Sequence, residues 1–342
     1  MQKKWYVLIL LWVLFLVGCS SHETKEIMLE IPYENYLHPS MNDEVLYVTV
    51  GQRMSSDAVD TLIRFEPDTG KAEELYSSEF PDSYMQDTQA NDSWLIWVDQ
   101  TSDGTISKLL GMNLSNQSVK EITTTDPNYP IILSPKLFED FVAWTELGNE
   151  QQFEVKLHNL KKNETVTIAT LQEPSIYNSF VSIGEDKLLW ADTKEGKGYY
   201  MLYDLKEKTT ETYEAPTSHP GYPKYTNGKI FAINFVNDGN WTNQDFGYLD
   251  IKENQYYSIN KKEYYINYFD TYDDRLAILD SENNLTVYDY KNGELTPLDI
   301  TITDEQESTP LFLYFVHEGH LMLQYDSLEN IGDSKIGIIY SN

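Results

Sequence analysis

The chain has 342 residues, with 55 Asp and Glu against 25 Lys and Arg, for a net charge of −30. Phosphate backbones are held by clustered Lys and Arg, so this balance excludes nucleic acid as a partner and argues against docking on anionic lipid by charge. With one cysteine in the whole chain, the fold has no internal disulfide to staple it and must rest on its own core.

The first element is a targeting segment. Lys3 and Lys4 precede an unbroken apolar run from Trp5 to Val17, followed by Gly18 and Cys19. The 13 residues of that run are too few to span a bilayer, which takes about 20. A basic start, an apolar middle and a small residue before the cut form the layout of a secretory signal. The segment resembles a bacterial lipoprotein signal, in which the cysteine thiol takes a diacylglyceryl group and becomes the first mature residue. The resemblance implies a signal peptide over 1–18, a lipidated polar tether over 19–26 and a folded domain over 27–342. It places the protein on the extracytoplasmic face of the cell membrane, with the bilayer as a partner through lipid on Cys19. Two or more acyl chains anchor stably, at about 0.8 kcal/mol per buried methylene.

Beyond the tether, short alternating apolar and aromatic segments separated by Gly, Asn and Asp read as all-β. These segments repeat. Ser93 to Asp99, Asp140 to Glu146 and Asp186 to Asp192 align without gaps, and four weaker copies extend the series. Its central column is Val48, Trp97, Trp144, Trp190, Ala232, Ile278 and Leu323, at spacings of 49, 47, 46, 42, 46 and 45 residues. A period near 45 with several strands per unit is the signature of a β-propeller. Seven four-stranded blades fit best, with six or eight as alternatives. The Trp column is read as core between blades. Segments such as Tyr84 to Gln89, Asn178 to Ile183 and Asn267 to Tyr272 are read as innermost strands. The last unit ends one strand short, and Ile27 to Pro32 is left over upstream. That segment is expected to supply the missing outer strand and close the ring, which also removes an open edge.

A second strand in each unit ends in motifs such as Tyr203-Asp204-Leu205, and Gly184-Glu185-Asp186-Lys187-Leu188-Leu189-Trp190-Ala191-Asp192 precedes it. This pattern resembles the TolB-like (WD/YVTN-type) propellers. The second, third and fourth units match it well and the others loosely. The resemblance implies the fold across most of residues 36–342 and leaves function open, because propellers host many functions.

Catalytic signatures are missing from the sequence. It holds no Gly-x-Ser-x-Gly elbow, no phosphate loop and no dinucleotide fingerprint. His317-Glu318-Gly319-His320 lacks the spacing of a helical zinc motif. The segment from Asp238 to Thr242 lacks the glycine and glutamate of a calcium loop. No catalytic residue, metal site or cofactor is therefore assigned. The repeated Asp and Asn of the second strand are read as turn acceptors.

Binding chemistry is expected on the blade-joining loops, which are rich in Pro and Tyr. Pro lowers loop entropy, and Tyr offers a flat face with a polar tip. The candidate ligand-binding residues are Tyr84, Tyr129, Tyr177, Tyr222, Trp241 and Tyr265, with packing between blades as the competing role. The sequence thus reads as a membrane-anchored propeller that binds or scaffolds a protein or an envelope glycan. One rival is a lyase or glycosidase using carboxylates at the channel mouth, with Asp82, Asp126, Asp270 and Glu307 near that face. The other is a structural component of an envelope assembly.

Overall fold

In the computed structural model the described residues are 24–33, 35–51, 58–125, 131–148, 152–237, 240–259, 264–290, 294–298, 300–301, 308–316, 319–327 and 335–340. The expected signal segment over 1–18 and Cys19 lie outside them. The chain opens with β1 (Thr24–Leu29) and then builds blades in sequence. Blade 1 is β2 (Tyr36–Asn42), β3 (Val45–Val50), β4 (Thr61–Glu66) and β5 (Lys71–Ser77). Blade 2 is β6 (Tyr84–Ala90), β7 (Trp94–Gln100), β8 (Ser107–Asn113) and β9 (Ser118–Thr124). Blade 3 is β10 (Ile132–Phe138), β11 (Phe141–Leu147), β12 (Phe153–Asn159) and β13 (Glu164–Thr170). Blade 4 is β14 (Val181–Gly184), β15 (Lys187–Lys194), β16 (Lys197–Asp204) and β17 (Thr210–Glu214). Blade 5 is β18 (His219–Thr226), β19 (Lys229–Phe235), β20 (Gln244–Asp250) and β21 (Gln255–Ser258). Blade 6 is β22 (Ile266–Tyr272), β23 (Arg275–Asp280), β24 (Leu285–Asp289) and β25 (Thr296–Pro297). After β26 (Ile300–Thr301), blade 7 adds β27 (Ser308–Phe315), β28 (Leu321–Ser327) and β29 (Lys335–Ile339).

Blades 1 to 6 are four-stranded antiparallel meanders, and the first strand of every blade lines the central channel. Turn chemistry sets the hairpins. Asp43-Glu44, Glu185-Asp186 and Asn227-Gly228 each place two consecutive residues at positive φ, the twist-matched geometry of a two-residue hairpin. At the outer hairpins the expected turn acceptors do that work. Asp204 Oδ1 accepts the backbone N–H of Lys206 and of Glu207, both at 2.8 Å. Asp250 Oδ1 repeats this with Lys252 and Glu253, and Asn159 Oδ1 accepts from Lys162.

The core is distributed among the junctions. One apolar cluster sits between each pair of neighbouring blades, including blades 7 and 1. The repeat column packs backwards at every step. Trp97 joins Tyr47 and Leu62 of blade 1, Trp144 joins Trp94 and Val98 of blade 2, and Trp190 joins Val155 and Leu157 of blade 3. The smaller members Val48, Ala232, Ile278 and Leu323 pack on the preceding blade in the same way.

The N-terminal strand closes the ring. β1 pairs antiparallel with β29, from Glu26 opposite Ile339 to Leu29 opposite Ile336. It begins at Thr24, three residues before the expected Ile27. On its outer side β26 adds a short parallel strand, so blade 7 has five strands, a feature absent from the sequence reading. Glu26 is 1% exposed and accepts a hydrogen bond from the Tyr325 hydroxyl at 2.6 Å. It fits because residue 337 is glycine: a Cβ there would stand 1.8 Å from Glu26 Oε1. A second tie crosses the same seam, where the Tyr314 hydroxyl donates to the carbonyl of Pro39 in blade 1.

Candidate functional site

The innermost strands share an irregularity. The pairing register shifts between Leu37 and Ser40 in β2, Gln86 and Gln89 in β6, Leu133 and Lys136 in β10, and Gly221 and Lys224 in β18. In each bulge the first extra residue has positive φ: His38 at 37°, Asp87 at 56°, Ser134 at 43° and Tyr222 at 52°. In three of the four a proline follows, Pro39, Pro135 or Pro223. Proline brings no N–H to the ladder, which suits a bulge. Left-handed backbone at a non-glycine residue costs about 1–3 kcal/mol. The strain recurs at one level of the channel, where a bulge re-aims its side chain.

The re-aimed residues meet across blade boundaries. The Phe180 ring, just ahead of β14, stacks on Tyr222 at 4.6 Å. Trp241, from the β19–β20 loop, meets Tyr222 edge-on at 5.7 Å. Tyr268 of β22 packs on Phe312 of β27 at 4.9 Å, and Phe312 faces the His38 ring at 6.4 Å. His38 Nδ1 accepts the Asp87 backbone N–H at 3.3 Å, and the Asp87 carboxylate lies 3.5 Å from the same nitrogen. Two ring groups, one from blades 4 and 5 and one from blades 6, 7 and 1, thus make up an arc around the channel mouth, the second ending at a carboxylate on blade 2. Burial, with the nearby Tyr268 and Tyr177, pushes the Tyr222 hydroxyl up to about 12, so it stays a neutral donor. Burial raises the Tyr268 hydroxyl as well.

Deeper in the channel the lining turns charged. Lys224 and Lys136 each stand two residues beyond a bulge residue, about 7 Å further along the strand. Lys224 pairs with Asp270 at 3.0 Å. Asp270 also accepts the backbone N–H of Phe315 at 2.8 Å, joining blade 6 to blade 7. Lys136 makes no ion pair among the described residues. Burial pushes its ammonium down to about 8, the like charge of Lys224 adds to that, and Asp87 and Asp270 oppose it.

The sequence-derived candidates fall at different levels. Tyr222 and Trp241 lie in the mouth arc. Tyr177 is only 2% exposed, stacks on Phe235 at 3.9 Å and meets Trp241 at a tilt at 6.1 Å, so it supports the arc from within the core. The turn explains this: Asn178 Oδ1 accepts the Ser175 N–H at 2.7 Å and its Nδ2 donates to the Glu173 carbonyl. Tyr177 is thereby turned inward, leaving Ile176 71% exposed. Tyr84 opens β6 and is raised by burial and by the Asp87 charge. Tyr265 is half-buried ahead of β22, and neither of these two makes a ring contact with the arc. Tyr129 lies outside the described residues, as do Asp126, Glu307, His317, Glu318, Asp238 and Gly239. Phe180, Tyr268, Phe312, His38, Lys136 and Lys224 were missed. For His38, Lys136 and Lys224 the available signal was the repeated residue-Pro-polar triplet His38-Pro39-Ser40, Ser134-Pro135-Lys136 and Tyr222-Pro223-Lys224.

No protein-family model and no curated protein matches the chain. Solved structures do. A chain of a mitotic checkpoint complex aligns at a TM-score of 0.59 with 10% identity, covering 95% of this chain and 94% of that one. The propeller domain of the trilobed protease from Pyrococcus furiosus aligns at 0.60 with 10% identity, covering 88% and 92%. TolB from Acinetobacter baumannii aligns at 0.47 with 12% identity, covering 89% and 79%, too loosely to add to the argument. At such identities the likeness is one of fold alone. The chain is a seven-bladed β-propeller closed by its N-terminal strand.

Proposed function

We propose that this protein is a lipid-anchored extracytoplasmic binding module that holds a protein or an envelope glycan at the channel mouth of its propeller. The observation that carries the reading is the arc of Phe180, Tyr222, Trp241, Tyr268, Phe312 and His38. Flat rings with neutral hydroxyls bury area at little entropic cost, because each has only two side-chain torsions to fix. The arc stands on the closed ring of blades, and two of its residues, His38 and Tyr222, sit in bulges fixed by the following Pro39 and Pro223. Ile176 and Val236, 71% and 47% exposed, extend the apolar character beside it. The anchor rests on the Lys3 to Cys19 pattern alone.

The test is a crosslinking pulldown from intact membranes, with a glycan array run on the body from Ser20 onward. A partner or glycan captured by the parent and lost in Tyr222→Ala/Trp241→Ala supports the reading, provided the variant unfolds at the parent temperature. Equal capture by both proteins removes the mouth as the binding site. For the anchor, Cys19→Ser should move the protein from the membrane fraction to the medium.

A further inference from the structure

The cations of the channel stand out in a chain of net charge −30. Lys136 and Lys224 project from β10 and β18 at the same register, each behind a strained bulge. They differ in how their charge is met. Lys224 has Asp270 at 3.0 Å. Asp87, the bulge residue of β6, lies against His38 at the level of the mouth. Lys136 has no carboxylate in contact among the described residues. The elements around it supply none. β14 carries no titratable side chain. The single titratable group of β11, Glu146, is held by Lys156 at 3.3 Å and by the Trp144 indole at 2.8 Å. A half-buried cation outside any ion pair is partly desolvated at a cost, and an incoming anion offsets that cost.

Two features therefore sit in line: flat rings at the mouth and, about 7 Å deeper along the strands, an ammonium awaiting a counter-charge. A sugar ring resting on the arc with an anionic substituent pointing down the channel satisfies both. A long acidic peptide fits less well, because the deeper level offers one cation outside any ion pair, with Lys224 and Asp270 already engaged with each other. We infer that Lys136, assisted by Lys224, is the floor of an anion site, and that the ligand of this propeller is a sugar bearing a carboxylate or phosphate. The inference rests on the mouth reading above and narrows it to one ligand class.

The experiment titrates the detergent-solubilised full chain with D-glucuronate, D-glucose 1-phosphate, D-glucose and inorganic phosphate. Binding is read by calorimetry and by protection of Lys136 from acetylation, site-resolved by mass spectrometry. A charged sugar should bind and protect Lys136 at least about tenfold better than glucose, a gap of about 1.4 kcal/mol. Preference for glucuronate or for the sugar phosphate identifies the anion, and phosphate alone should protect weakly. With Lys136 titrating near 8, affinity should fall by about 30-fold between pH 7 and pH 9.5 as the ammonium is lost. Lys136→Met should abolish the preference for charged sugars, whereas Lys136→Arg should keep it and lose the pH dependence. Glucose binding as tightly as the charged sugars, no binding of any probe, or Lys136→Met behaving as the parent would overturn the inference. Tyr222→Ala/Trp241→Ala separates the two readings. If it leaves charged-sugar binding intact while Lys136→Met abolishes it, the floor stands and the mouth falls.

Discussion

Gly337→Ala should loosen the seam that closes the ring. The added Cβ would stand 1.8 Å from Glu26 Oε1 and 3.0 Å from the Tyr325 ring. Glu26 is buried on β1 and held by the Tyr325 hydroxyl at 2.6 Å, so its carboxylate must leave to make room. Losing a hydrogen bond to a charged group costs about 1.5–3 kcal/mol, and overpacking a filled site adds about 1–3 kcal/mol. The variant should therefore lose about 3–5 kcal/mol in equilibrium urea unfolding, with faster amide exchange in β28 and β29. The cause is specific, so it can be cancelled. Glu26→Ala removes the atom that the new methyl meets, and the double variant should be more stable than the sum of the singles by about 1.5–3 kcal/mol. Strict additivity, or a single variant within about 0.5 kcal/mol of the parent, would refute the packing argument and detach ring closure from the Glu26 contact.

Trp144→Ala should cost about 3–5 kcal/mol, because the indole is fully buried between blades 2 and 3; urea unfolding measures it. Tyr177→Ala should cost a similar amount and lower the melting temperature, whereas Tyr268→Ala, 40% exposed, should stay within about 0.5 kcal/mol of the parent. That contrast sorts the aromatic residues into support and surface. Asp204 is held down to about 2 by the Glu207 N–H, the Lys187 ammonium and the Lys206 N–H. Its folded pKa lies below the unfolded value, so its contribution is full above about pH 4 and is lost as pH falls through about 2. Asp204→Asn should flatten the stability profile between those two values.

The parts of this fold that sequence reveals are those that repeat. Trp97, Trp144 and Trp190 mark the period because each junction buries the same column against the blade before it. Asp204 and Asn159 are readable as turn acceptors because the turn leaves backbone N–H groups that need a short polar side chain. The closing strand is legible as an unpaired apolar segment opposite a blade one strand short. Its start is obscured because Thr24 and Lys25 are polar enough to pass for tether. β26 is two residues long and carries no pattern at all. The candidate site is less legible for a different reason. Pro174-Ser175-Ile176-Tyr177 reads as an open recognition loop, yet the Asn178 contacts bury the tyrosine and expose the isoleucine. Lys136 and Lys224 look like ordinary strand lysines until the bulges place them at one level of the channel. Composition shows that aromatics abound, and only register shows which of them face each other.

Topology also fixes which way the mouth points relative to the proposed anchor. Each first strand runs from the blade-joining face toward the opposite face, and the strands then alternate. β1 occupies the fourth position of blade 7, antiparallel to β29 and leading into β2. It therefore runs toward the blade-joining face, and Thr24 lies on the far side from Trp241 and the arc. Cys19 stands five residues before Thr24, a reach of at most about 18 Å. A lipid on Cys19 would hold the lower rim near the bilayer and turn the mouth outward, where an envelope ligand can reach it. The orientation is testable on the flanks of β5. Asp68 lies in the turn before that strand on the lower side, and Glu79 follows it on the mouth side, both exposed. Their separation along the sheet is about 23 Å. Fluorophores placed through Asp68→Cys and Glu79→Cys, in vesicles carrying nitroxide-labelled lipid, should be quenched strongly at 68 and weakly at 79. Equal quenching would mean that the tether leaves the propeller free to tumble, and the reverse order would place the mouth against the membrane and close it to large ligands.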